Sequence, residues 1–151
     1  MITWTTYGTW LQGDKRGYVK DGKILPLDKG LEEANKKLQK CSPVRLSSKQ
    51  KKDVENAIIK EAKRIGQKIL ALAVCSNHVH LVTVPCNESI ESSVSRYKNV
   101  STFALKKTVS TNRIWTRGFD KRFCFNNEEL QEKVRYVCRH LQDNFRYYNN
   151  G

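Results

Sequence analysis

Two imidazoles stand two residues apart in Cys75-Ser76-Asn77-His78-Val79-His80-Leu81-Val82. In an extended strand alternate side chains share a face, so His78 and His80 point to one side and Val79 and Leu81 to the other. Neutral imidazoles converging from one face of a strand make a clamp for a divalent cation. The last of the chain's 3 histidines, His140, lies four residues after Tyr136 in a segment of helical periodicity. At that spacing the phenol and the imidazole share a helix face, with Cβ atoms about 5–6 Å apart. Lys133, one turn upstream, shares that face, which is not the apolar stripe of Leu130, Val134, Val137 and Leu141. A helix presenting a phenol, an imidazole and an ammonium together suggests chemistry. The plainer readings are two hydrogen-bonded histidines in a half-buried strand and an interfacial tyrosine with a wet hydroxyl.

The bulk of the chain points to the kind of partner. At 151 residues it suits one domain with a single core. Lys and Arg number 28 against 15 Asp and Glu, a formal charge of +13. So large an excess favours a polyanion, nucleic acid before an anionic membrane surface. No stretch approaches the apolar length of a membrane span, and Met1-Ile2-Thr3-Trp4 carries no charged-then-apolar export signal, so cytoplasmic residence is expected. The 5 cysteines (Cys41, Cys75, Cys86, Cys124, Cys138) form no Cys-x-x-Cys pair and are odd in number, so they read as reduced, mostly buried thiols. Cys138 lies between Tyr136 and His140 in sequence, but residues two apart on a helix face differently, which makes it structural.

The elements that must position these groups follow from periodicity. Ile2 to Tyr7 is β-branched and aromatic, an opening strand that Gly8 to Leu11 continues or bends. About 13–46 reads as a charged insertion with one weakly helical patch at Leu31 to Leu38. Ser47 and Gln50 form a capping box for a helix whose core side is Val54, Ile58, Ala62 and Ile65, stopped by Gly66. Ile69 to Cys75 is continuously apolar, which predicts a central strand buried on both faces. Ser76-Asn77 then turns into the histidine strand, His78 to Val84, ended by Pro85. A second helix starts near Ser89, with Ile90, Val94, Tyr97, Ala104 and Leu105 inward. Arg113 to Phe119 suggests a strand broken at Gly118 and resumed through Arg122 to Phe125, before the final helix. Strand, helix, strand, strand, helix, strand is the βαββαβ order of an α+β, ferredoxin-like antiparallel sheet, with the tyrosine helix additional. That helix is free to lie on the open face, where the histidines point.

His78-Val79-His80 on a strand, followed by a helix with a tyrosine and a polar ligand four residues on, resembles the single-tyrosine HUH (His-hydrophobic-His) transposases of insertion-sequence type. Trp115-Thr116-Arg117-Gly118-Phe119 and Arg135-Tyr136-Val137 are similar to the Trp-x-Arg-Gly-Phe and Tyr-Ile ending of the REP-associated tyrosine transposases, and Thr3 to Leu11 to the opening of some members. The likeness spans most of the chain outside the insertion. It departs at His140-Leu141, where the family usually has Asn or Gln and the REP-associated branch often Asn-Pro. A third imidazole shifts metal preference from Mg²⁺ toward Mn²⁺ or Zn²⁺.

The resemblance implies a metal-dependent, single-stranded DNA endonuclease and strand-transferase acting on hairpin or palindromic repeat DNA. His78, His80 and His140 would hold the ion, and Tyr136 would attack a phosphate to leave a 5′-phosphotyrosine. No P-loop is present, in keeping with a reaction that needs no nucleotide cofactor. A phenol ionises only near pH ~10, so a neighbouring cation or the field of the metal ion must help, with Lys133 a candidate helper. Lys51, Lys52, Arg113, Arg117, Lys121, Arg122 and Arg139 are candidates for phosphate contacts and Trp115 for base stacking; each is equally a solvated charge or, for Trp115, a core residue. Relatives include dimers, in which the tyrosine helix serves the partner's histidines, as well as monomers, and association with the nucleoid would follow from DNA binding. Two other readings stay open: a three-histidine Zn²⁺ hydrolase, and a DNA-binding descendant without catalysis.

Overall fold

The computed structural model describes residues 1–20, 23–111 and 113–141. The sheet is built from β1 (Ile2–Thr5), β4 (Ile69–Val74), β5 (His78–Thr83) and β6 (Asp120–Lys121), in the order β4-β5-β1-β6 with every pair antiparallel. Between β1 and β4 come a hairpin, β2 (Tyr18–Lys20) with β3 (Lys23–Leu25), and the helices α1 (Lys29–Lys37) and α2 (Ser48–Arg64). Helix α3 (Ile90–Leu105) joins β5 to β6, and α4 (Asn127–Arg139) follows β6. The sheet helices and strands alone run β1-α2-β4-β5-α3-β6, the α+β arrangement expected.

Local chemistry sets the helix ends. Ser47 and Gln50 satisfy each other's backbone N–H groups, at 3.3 and 2.8 Å, so α2 starts there. It stops at Gly66, whose φ of +68° takes the left-handed conformation that glycine adopts without strain. Val54, Ile58 and Ala62 of α2, Val94, Tyr97 and Leu105 of α3, and Ile2, Trp4, Leu72, Val79 and Leu81 of the sheet form one core. A second, smaller core lies on the opposite face, where α4 brings Val137 and Cys138 against Ala71, Ala73 and Val82. Full burial of Val137 contributes about 1.5–3 kcal/mol to holding α4 there. No helix among the described residues is long and apolar enough to cross a membrane.

Four expectations need correction. The strand Ile69–Val74 is not central but lies at the sheet edge, β4. It is apolar throughout because α4 covers the face that α2 and α3 do not, so an edge strand is buried on both sides. The 13–46 insertion holds the β2–β3 hairpin, which was not expected, besides the expected helical patch, which is α1, its N-cap Asp28 accepting from Leu31 N–H. The segment 113–125 forms almost no strand. Only Trp115 bridges to Thr6, and β6 has 2 residues. Lys98 explains part of this, since its ammonium donates to the carbonyls of Thr116, Arg117 and Gly118 at 2.9–3.1 Å and takes them out of any ladder. Finally, of the 5 free cysteines only Cys138 is buried, because Cys41, Cys75, Cys86 and Cys124 flank the elements rather than sit within them.

Candidate active site

Cross-strand register defines one row of side chains on the α4 face of the sheet. Ala71 opposes Val82, Ala73 opposes His80, and on the other side of β5 Thr3 opposes His80. Cys75 and His78 close the row at the turn, where Cys75 N–H donates to His78 C=O at 2.8 Å. The period of two therefore sends His78 and His80 toward α4, while Val79 and Leu81 enter the main core. Small residues at 71 and 73 let α4 approach closely.

Each imidazole is fixed by a neighbour on its Nδ1. His78 Nδ1 lies 2.8 Å from Asn77 Oδ1, an oxygen that only accepts, so the proton sits on Nδ1 and the lone pair on Nε2. His80 Nδ1 lies 2.8 Å from the Thr3 hydroxyl. Asn77 is itself anchored: its carbonyl accepts from Thr6 N–H at 2.9 Å and from the Thr6 and Thr9 hydroxyls at 3.1 and 3.4 Å. Burial pushes the His78 pKa down to about 4, helped by the nearby charges of His140 and Arg16. Burial, then His78 and His140, pushes His80 down to about 3. Both rings are neutral at physiological pH, as ligation requires.

Helix α4 carries the other half. The rings of His78 and His80 are 4.6 Å apart between centroids, His80 and His140 4.9 Å, and His78 and His140 5.7 Å. The Tyr136 ring lies 5.3 Å from His80 and 4.8 Å from His140, and is 43% exposed. Two neutral imidazoles, their Nδ1 atoms held by an amide and a hydroxyl, with a third imidazole beside them, fit a transition-metal ion. Among the described residues the donor atoms that lie within 4.8 Å of one another are those of Cys75, His78 and His140. Cys75 escaped the sequence reading because its partner across the hairpin is fixed by register.

The remaining candidates are dispersed. Lys133 is half-buried on α4, near enough to Met1 that its charge helps lower the pKa of the terminal amine. Arg139 is exposed in the last turn of α4. Lys51 and Lys52 lie on α2, which covers the other face of the sheet; Lys52 pairs with Glu55 at 3.0 Å. Arg113, Trp115 and Arg117 line a cleft of about 600 Å³ against α3. Trp115 there packs edge-on to Trp4 at 6.3 Å. Lys121 pairs with Glu91 at 2.6 Å and Arg122 with Asp120 at 3.0 Å. Arg16, from the insertion, was not singled out by any local pattern. It donates to Asp14, holding that carboxyl down at about 2, stacks on Trp10, and its charge reaches His78.

The model of the family described as "Transposase IS200 like" matches residues 39–144. The chain belongs to the IS200-like transposase family. The matched region includes the histidine strand and the Tyr136 helix and leaves out the β2–β3 hairpin and α1. No curated protein matches this family member in sequence. Among solved structures it is similar to one of a REP-associated tyrosine transposase bound to a REP hairpin, with a TM-score of 0.58 and 17% identity over 90% of this chain. The chain spans 61% of the length of that protein. The resemblance read from the motifs and the α+β fold expected from them thus agree with both comparisons.

Proposed function

We propose that this IS200-like transposase cleaves and rejoins single-stranded DNA at hairpin or palindromic repeats, with Tyr136 as the nucleophile. The observation that carries the reading is the position of the Tyr136 phenol, 4.8–5.3 Å by ring centroid from two of three converging imidazoles of the same chain. His78, His80 and His140 would hold a divalent ion, which when bound would supply the Lewis acidity that stabilises charge on a phosphate oxygen. Tyr136 Oη attacks phosphorus, the P–O3′ bond breaks, the phenolic proton passes to solvent and the departing 3′-oxygen takes one up. The product is a 5′-phosphotyrosine, which retains the phosphodiester energy and is returned to a 3′-hydroxyl on rejoining. Partial exposure of Tyr136 leaves its side chain within reach of a strand entering from solvent.

The chain's charge of +13 supports a nucleic-acid partner, and the hairpin bound by the structural relative supports its class. Arg16, whose charge reaches His78, and Arg139, exposed in the last turn of α4, would take phosphates beside the site, with Arg113 and Arg117 in the cleft against α3. Both halves of the site come from one chain, so the proposal is cleavage in cis. The test is a denaturing gel of protein incubated with labelled, hairpin-bearing single-stranded DNA and Mn²⁺ or Mg²⁺. A protein–DNA adduct that Tyr136→Phe abolishes is expected. Strand cleavage that survives Tyr136→Phe would instead mean hydrolysis by water, and binding without cleavage under any metal would mean a non-catalytic DNA-binding protein.

A further inference from the structure

We infer that Cys75 is a ligand of this metal site, which therefore takes a thiophilic ion of the Zn²⁺ class through Cys75, His78 and His140. The inference rests on reading the histidines as a metal clamp and adds the residue that selects the metal. Cys75 and His78 oppose each other at the end of the β4–β5 ladder, one pair beyond Val74 and Val79. Side chains opposed across a strand pair share a face. That face is the one covered by α4, and His140 ends α4 directly above it. The Cys75 sulfur and the ring nitrogens of His78 and His140 all lie within 4.8 Å of one another. A tetrahedral Zn²⁺, with bonds of about 2.3 Å to sulfur and 2.0–2.1 Å to nitrogen, draws such donors to about 3.5 Å apart. Small side-chain rotations close that gap.

The donor chemistry favours a borderline or soft ion over a hard one. Among the described residues no carboxylate belongs to the cluster, and thiolate with imidazole suits Zn²⁺, Co²⁺ or Cu⁺ rather than Mg²⁺. Asn77 already leaves Nε2 of His78 bare. On binding, the S–H bond breaks, its proton passes to solvent and sulfur bonds the metal. Among the described residues these three donors lie mutually close, and His80, on the same face, is the further donor that the clamp reading supplies.

The full chain loaded with Co²⁺ in place of Zn²⁺ should show a thiolate-to-cobalt charge-transfer band in the near ultraviolet. Zn²⁺ should slow iodoacetamide alkylation of the Cys75 peptide, followed by mass spectrometry, and Mg²⁺ should not. Cys75→Ser should abolish the band and weaken Zn²⁺ binding, by chelator competition, at least as much as the roughly 10- to 100-fold that loss of an outer-shell partner costs. A Co²⁺-loaded chain without the band, or alkylation of Cys75 at the same rate with and without Zn²⁺, would overturn the inference; both are read on the unsubstituted protein, so neither depends on the variant folding. A missing Tyr136–DNA adduct would instead count against strand transfer and leave the thiolate ligand standing.

Discussion

The rings of Tyr136 and His80 meet edge to face at 5.3 Å and an interplanar angle of 70°, one carried by α4 and the other by β5. Tyr136→Phe keeps that ring contact and removes only the hydroxyl. Because the side chain is 43% exposed, stability should change by no more than about 0.5 kcal/mol. Covalent attachment to DNA should vanish while salt-dependent binding persists, as a thermal melt, a denaturing gel and a binding titration would show.

Asn77 connects the turn to the N-terminal strand and sets the tautomer of His78. Asn77→Ala keeps the backbone carbonyl that Thr6 holds but frees the imidazole. Metal affinity should fall roughly 10- to 100-fold with unchanged circular dichroism. Chelator competition measures the first; an affinity equal to that of the unsubstituted chain would show that Asn77 orients nothing.

Ala73 is fully buried opposite His80, beneath α4. Leucine there overfills the interface, so Ala73→Leu should cost about 1–3 kcal/mol in denaturant unfolding. If the helix yields rather than the sheet, adduct formation should fall further than the loss of stability explains.

Tyr97 is fully buried in the main core, and its hydroxyl donates to Gln67 Oε1. Burial holds its phenol well above the ordinary range. Above pH ~10 an unfolded tyrosine gives up its proton and the folded one does not. The unfolded state then binds fewer protons, so this contribution to stability is intact at neutral pH and lost as the solution becomes more alkaline. Tyr97→Phe should cost about 0.5–1.5 kcal/mol at pH 7 through the hydrogen bond. The difference between the two proteins should narrow in denaturant titrations carried above pH 10.

The parts of the candidate site legible in the sequence are those set by local periods. Two residues per strand repeat align His78 with His80, and one helical turn aligns Tyr136 with His140. Which face of the sheet α4 covers depends on the apolar residues of two distant segments, Ala71, Ala73 and Val82 against Val137, and only the open face suggested it. The nearness of Cys75 to His78 was not legible, because hairpin register alone brings the two together. The βαββαβ order was legible from the capping box and the apolar runs, whereas the edge position of β4 was hidden by burial that α4 supplies. The near-absence of strand at 113–125 turns on Lys98, some twenty residues away, and no window of local sequence contains that clamp.

His140 is the C-cap of α4, its own N–H bonded to the carbonyls of Val137 and Cys138. Helix ends are where fraying begins, at a free-energy cost far below that of global unfolding. Unwinding one turn would carry the third imidazole away from its fellows while β5 kept the other two in place. On warming, the site would therefore come apart by local melting before the protein does, and the chemistry would fade at a temperature where the sheet is still whole.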